Sequence, residues 1–314
     1  MTTKTKTKHE RSPDAPTSKD LLERIERGIE SFTTDNGEAF KRYLRFAARL
    51  RGLAGEGKPV SYSFQNTLLI LMQFPEATQV AGYHTWRKLG NPVAKGAKAI
   101  RILAPIKISR EDKNGEEKEF LWFKVVSVFD VSQTEAGAAA LPNIAVHTLQ
   151  GNDGLDLLSA LMWVAGAEGL SVETAESLAP RGVHAGANGY YQRNAQLIWL
   201  SPGLPGATMA AKTLAHELSH HFAEHEANAH TRPEAETIAE ASAFIVLNAH
   251  GLDSTEYSFG YLASWGNADS KLFKQKLSEI QNTARTIIDR TQLAPEVQAA
   301  IDGAMRTLEG GVPA

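Results

Sequence analysis

Residues 213–222 read TLAHELSHHF, three histidines and a glutamate within six positions. The surrounding stretch from Ala207 to Glu226 contains neither proline nor glycine, and Leu214, Leu218 and Phe222 recur on one face. That periodicity predicts an amphipathic helix over 207–225. On it His216 and His220, spaced i and i+4, point the same way one turn apart. Two imidazoles so placed can hold one metal ion, with Glu217 between them as a base. His221 points about 100° away, so it is expected as an outer-layer or surface histidine.

A catalytic zinc takes three protein ligands and keeps one position open. Residues 223 and 226 are Ala and Glu, not the Gly and His of a longer zinc motif, so the third ligand is sought elsewhere. His225 and His230 lie just past the helix end, where reaching back is awkward. The next segment, PEAETIAEASAFIVLNAHG (233–251), predicts a second helix over 233–250 with Glu236 and Glu240 on one face. Glu240 is the expected ligand because Phe244 and Ile245 follow it, which suggests a buried end; Glu236 is expected at the rim. Zinc lowers the pKa of a bound water, and Glu217 would take its proton as the oxygen attacks a carbonyl.

The remainder of the 314 residues sets the frame. Cysteine is absent, which removes disulfides, thiolate ligands and a cysteine nucleophile. No apolar run reaches the length of a membrane span. The opening MTTKTKTKHERSPDAPTSKD lacks the apolar core of a secretory signal, so a cytoplasmic location is expected. The net charge of -3 conceals an asymmetry: residues 1–130 hold 23 Lys and Arg against 16 Asp and Glu, and residues 131–314 hold 10 against 20. A basic half calls for an anionic partner.

Outward from the motif, Leu21, Leu22, Ile25, Ile29 and Phe32 predict one helix, and Phe40, Tyr43, Leu44, Ala47 and Leu50 a second. SFQNTLLILMQF predicts a short buried helix, and AIRILAPIKIS and EFLWFKVVSVFDV predict two long strands joined across Asn114-Gly115. SQTEAGAAALPN, near 132–146, predicts a linker. Beyond it come a helix over 152–168, a strand near 171–175, a hairpin in GANGYYQRNAQLIWLS, the two helices above, and C-terminal helices over 269–290 and 295–308.

Within the basic half, Tyr83, Trp86, Arg87, Lys88, Lys95, Lys98 and Arg101 mix cations, aromatics and nearby glycines. Single-stranded nucleic acid asks for this mixture, cations for phosphates and rings for bases.

HExxH followed about twenty residues later by EASAF resembles the zinc peptidase-like domain of the IrrE/ImmA group, in which the second motif's glutamate, here Glu240, is the third ligand. The longer tail IVLNAHGLDSTEYSFGYLASW, with YSFQNTLLILMQFPEATQVAGYHTWRKLGNPVAKGAKAIRILAP and VFDVSQT upstream, resembles the ArdC-type antirestriction family. That resemblance implies single-stranded DNA binding in the first half, with Asn66, Trp86, Lys95 and Lys98 facing DNA, a metal site in the second, and protection of incoming plasmid DNA. In the tail, Tyr257 and Tyr261 can donate to a tetrahedral oxyanion or simply pack as aromatics.

The expectation is therefore an α+β protein of two domains. A tail (1–18) leads into a helix-plus-antiparallel-sheet DNA-binding domain (19–131). A linker (132–146) then precedes an HExxH zincin-like domain (147–314) that uses Zn²⁺ as a metallopeptidase. Two other readings share these residues: a DNA-coating protein with structural zinc, and a regulatory peptidase that cleaves a repressor.

Overall fold

The computed structural model describes residues 16–34, 37–55, 58–111, 117–137, 154–179, 186–224, 230–252 and 270–295. The expected N-terminal tail up to residue 15, the helix over 295–308 from residue 296 on, Tyr257, Tyr261 and His225 lie outside them. The protein is α+β. Helices α1 (Ser18–Thr34) and α2 (Glu38–Arg49) form where the apolar periodicity places them, burying Leu21, Ile25, Ile29 and Phe32, and Phe40, Tyr43 and Leu44. The turn signal after α2 carries two short strands that the sequence pattern did not announce, β1 (Arg51–Ala54) and β2 (Lys58–Val60). Helix α3 (Phe64–Gln73) follows, N-capped by Ser63, whose side chain accepts from the Asn66 amide.

Strand β3 (Gln79–Gly82), the short helix α4 (Tyr83–Lys88), and the long strands β4 (Ile100–Glu111) and β5 (Glu117–Asp130) complete this half. The sheet runs β2-β1-β3-β5-β4. It is mixed rather than antiparallel: β1 and β3 are parallel, with Gly52 opposite Val80. Parallel neighbours need a crossover between them, and α3 lies in that connection. Gly52 admits the close packing, since a Cβ there would meet the Val60 carbonyl at 2.6 Å and the Tyr62 ring at 2.9 Å.

The two sheet faces differ. Val80, Ile100, Ile102 and Val128 join the core with α1, α2 and α3. Leu53, Ala81 and Phe129 face the other way, where Trp86 of α4 and the loop through Val93 and Ala97 cover them. The first residues of the expected linker belong to this outer layer: Thr134 bridges Val93, and the Asn91 side chain bonds the backbone of Ala136 and Gly137.

In the second half, α5 (Leu155–Ala167) precedes a three-stranded sheet of order β6-β8-β7, from β6 (Ser171–Glu173), β7 (Gly189–Gln192) and β8 (Leu197–Leu200). Helices α6 (Gly206–Glu224), α7 (Arg232–Ala249) and α8 (Ser270–Thr291) follow. Helix α7 begins at a reciprocal Thr231–Glu234 capping box with Pro233 in its first turn.

One apolar core is continuous through both halves, from Leu21 and Phe40 to Leu214, Phe244 and Ile287. Polar contacts pin the junction: Gln281 of α8 accepts from the Tyr43 hydroxyl and donates to the Tyr62 carbonyl at 2.6 Å and the Thr67 hydroxyl at 3.1 Å. Arg45 of α2 lies over the Phe244 ring of α7. Burial of this kind opposes independent motion of the two halves. Among the described residues, no helix is long and apolar enough to cross a membrane.

Candidate metal centre and basic face

Helix α6 is seated by Leu214 and Leu218, both wholly buried, and by Phe222. This orientation turns His216 and His220 toward α7, with their Nε2 atoms 3.1 Å apart. Opposite them stands Glu236, whose Oε2 is 3.3 Å from His216 Nε2 and 3.6 Å from His220 Nε2. These three form the one group among the described residues able to hold a metal by their mutual distances.

Glu236, expected at the rim, thus occupies the place expected of Glu240. The two positions differ by one helical turn. α6 and α7 face each other, and the turn of α7 that lies level with both histidines carries Glu236. Glu240, about 6 Å further along, is partly buried nearer His216 and Lys212, and burial pushes its carboxyl up. Sequence patterning placed both glutamates on one face, but the register between two helices is not a property of either alone.

Glu217 lies between this group and β7, close enough to feel the charges of His216, His220 and Glu236. It is 6% exposed and accepts a hydrogen bond from the Tyr191 backbone N–H. Burial raises its pKa despite the neighbouring histidines. Gly189 permits this approach: a Cβ there would meet the Thr213 methyl at 2.6 Å and Glu217 Oε1 at 3.1 Å. Around His216, burial lowers the imidazole pKa, but the Glu236 hydrogen bond and the charges of Glu217, Glu236 and Glu240 outweigh it and the net shift is upward. Glu236 in turn is held well below the usual carboxylate range by hydrogen bonds from His216 and His220.

His221 does not join this group. It is buried, its Nδ1 lies 2.9 Å from the Tyr191 hydroxyl, and its Nε2 lies 3.5 Å from Glu168, which also pairs with Arg290. It therefore braces, through Tyr191, the strand that holds Glu217. His230 pairs with Glu279 at 2.9 Å and is not aimed at the centre.

The donor set fits a divalent ion. Ligand atoms at the corners of a tetrahedron about 2.1 Å from a metal lie about 3.4 Å apart; the three edges here are 3.1, 3.3 and 3.6 Å. Two imidazoles among three carboxylates leave an excess of negative charge, and Glu236 is half exposed, so the open side faces solvent.

In the basic half, the residues expected to face DNA separate into two kinds. Trp86 is fully buried, with its indole N–H donating to the Phe129 carbonyl, so it anchors the outer layer of the sheet. Asn66 is a strand mimic: its amide donates to the Leu103 carbonyl and accepts from the Leu103 N–H. Gln73 does the same at Arg101, and together they blunt the exposed edge of β4. The Arg101 side chain is bound to the Ser127 hydroxyl. Arg87, Lys88, Lys95 and Lys98 are exposed, on α4 and the loop after it, on the sheet face turned away from α1–α3. Tyr83 accompanies them, 48% exposed. Composition and spacing gave no notice of the arm of β5, where Phe120, Leu121 and Trp122 are about half exposed or more. A run of four apolar residues on one long strand, more than one buried face can absorb, was the available signal.

Residues 53–129 match the family model described as the N-terminal domain of anti-restriction factor ArdC. Two crystal structures of antirestriction ArdC from plasmid R388 share the fold over 86% of this chain and 97% of theirs. The metal-free form has TM-score 0.58 and 22% identity, and the Mn(II)-bound form 0.56 and 20%. An uncharacterized protein of Bacillus anthracis, pXO2-81, is 26% identical over 268 residues; the match covers 73% of this chain and 45% of that protein, so this chain spans less than half its relative's length. The basic half thus carries a match to the ArdC N-terminal domain over residues 53–129, and the chain shares the ArdC fold over most of its length.

Proposed function

We propose that this protein is a DNA-associated, metal-dependent hydrolase acting on protein, in the service of antirestriction. The observation that carries the reading is the convergence of His216, His220 and Glu236 at tetrahedral spacing, with Glu217 buried beside them. These three side chains would hold the ion, zinc on the N₂O donor set; the Mn(II)-bound relative supports a divalent ion without choosing among metals. When bound, the ion supplies Lewis acidity toward water and a carbonyl oxygen. Glu217 accepts the proton of the attacking water and returns it to the leaving amine. The β7 backbone, through Tyr191, keeps its carboxylate oriented and dry.

Arg87, Lys88, Lys95 and Lys98 would track a phosphate backbone, and the exposed rings of Tyr83, Phe120 and Trp122 would stack bases of a single strand. Holding DNA and protein target together raises the effective concentration of the second encounter. Asn66, Trp86 and Arg101 drop out of the DNA-contacting set, and Glu240 becomes an outer partner of His216.

The test is metal-dependent cleavage of DNA-binding proteins with and without single-stranded DNA, comparing the wild-type chain with Glu217→Gln. Cleavage that rises with DNA and vanishes in the variant is the expected result. Equal DNA and metal binding by both proteins with no cleavage by either would leave the DNA-coating reading, with a structural metal, in its place.

A further inference from the structure

Between the two halves lies a small cleft that opens to solvent. Its polar lining is Arg51, Ser61, Tyr62 and Thr67 from the N-terminal half and Gln281 and Arg285 from α8. Most of these groups are committed elsewhere: the Tyr62 hydroxyl donates to the Val80 carbonyl, Gln281 bridges Tyr43, Tyr62 and Thr67, and Arg285 pairs with Asp289 at 2.9 Å.

Arg51 is different. It is only 7% exposed, yet among the described residues no carboxylate lies within ion-pair distance of it. One nitrogen, Nη1, donates to the Ala48 and Leu50 carbonyls at the end of α2, at 2.8 and 2.9 Å; among the described residues Nε and Nη2 make no further hydrogen bond. A buried guanidinium with no carboxylate in direct contact is costly to hold, and the charge of Asp289, which pairs with Arg285, offsets this only in part. Arg285 aggravates it. Burial first, and the Arg285 charge second, pull the Arg51 pKa down to about 10, with Asp289 opposing. His250, also buried nearby, is kept neutral by burial and by Arg51 and supplies no negative charge.

We propose that this cleft is an anion site that takes a phosphate group, held between the unused donors of Arg51 and the guanidinium of Arg285, with the Ser61 hydroxyl at its mouth. Guanidinium forks match tetrahedral oxyanions in shape as well as charge. The cleft is open on one side, so an ester substituent on the phosphate can project toward solvent. The occupant would join Arg51 of β1 to Arg285 of α8 and replace their repulsion with a shared counter-ion, closing the junction of the halves. The site is independent of the metal centre and does not rest on the hydrolytic reading.

The experiment uses the full chain, by thermal unfolding and titration calorimetry, in chloride buffer at constant ionic strength. Inorganic phosphate and a deoxynucleoside 5′-monophosphate are the two probes. A ligand that binds only the folded chain raises Tm by several degrees at high saturation. The expected result is a saturable rise for at least one probe, with affinity lowered tenfold or more in Arg285→Gln, whose partly exposed side chain can change without emptying the core. Tighter binding of the nucleotide identifies a nucleic-acid phosphate as the occupant, and equal binding identifies free phosphate. A rise that never saturates and is the same in Arg285→Gln is the general stabilisation of folded proteins by excluded phosphate, and overturns the site. So does no binding of either probe.

Discussion

The α6–α7 pair and the outer layer of the N-terminal sheet were both read from residue type and spacing, and they fared differently. At the helix pair, His216 and His220 converge as their i, i+4 spacing requires, and Glu236, one turn before the expected Glu240, is the carboxylate that lies against both. On the sheet, residues chosen for being aromatic, polar or basic scattered between core and surface. Trp86 is fully buried, Asn66 and Arg101 are tied into β4 and β5, and four cations remain exposed. A motif within one helix carries its own geometry, because i and i+4 always share a face. A basic and aromatic composition carries no direction, since tryptophan serves cores and interfaces equally well.

This contrast can be broken or sharpened by experiment. The largest effect is expected at the base. Glu217→Gln should lower cleavage by about 10²–10⁴-fold while leaving metal content unchanged, measured as turnover beside metal analysis; undiminished turnover would remove Glu217 from the chemistry.

Next is the ligand assignment. Glu236→Gln should weaken metal binding by more than the roughly 10- to 100-fold that outer partners contribute, and Glu240→Gln by less. Competition against a chromogenic chelator ranks the two, and the opposite order would restore Glu240 as the ligand.

In the sheet, Trp86→Ala should cost about 3–5 kcal/mol of stability, and Asn66→Ala about 1–3 kcal/mol through the unpaired Leu103 backbone. Denaturant midpoints read both. Weaker DNA affinity at unchanged stability would mean these residues do face DNA.

At the junction, burial depresses the folded-state pKa of His250 to about 4, against an ordinary 6.5. The unfolded chain therefore binds the extra proton between those values. The stability tied to a neutral His250 is complete above pH 6.5 and declines as pH falls to about 4, by on the order of 3 kcal/mol. Denaturant midpoints at pH 7 and about pH 4.5 should show this decline in the wild-type chain and a smaller one in His250→Gln.

The smallest change is on the surface. Reversing Lys95 and Lys98 to Glu should leave Tm in place and weaken single-stranded DNA binding. The slope of log affinity against log salt should become shallower by about 0.7 for each phosphate that is no longer neutralised. An unchanged salt slope would move the DNA to another face.

Much of the architecture is visible in apolar patterning: α1 and α2 bury residues at helical spacing, α3 and α7 are apolar enough to be buried nearly all round, and β4 and β5 are long runs rich in β-branched and aromatic residues. The short strands β1, β2 and β3 were hidden because three or four residues are too few for a period to show, and glycine and proline in LAGEGKP read as a turn. The parallel pairing of β1 with β3 was equally invisible, for it depends on partners 28 positions apart in the chain.

Local chain geometry is therefore enough to declare a helix bearing two convergent imidazoles with a glutamate between them, and a basic half joined to an acidic one. Three matters were left to tertiary packing. It chose the glutamate that faces both histidines. It turned Trp86 inward and left Lys95 and Lys98 outside. It brought Arg51 and Arg285 to one cleft across a continuous core. Each of these depends on register between elements distant in sequence, and register is decided by how whole faces fit together, which no single segment contains.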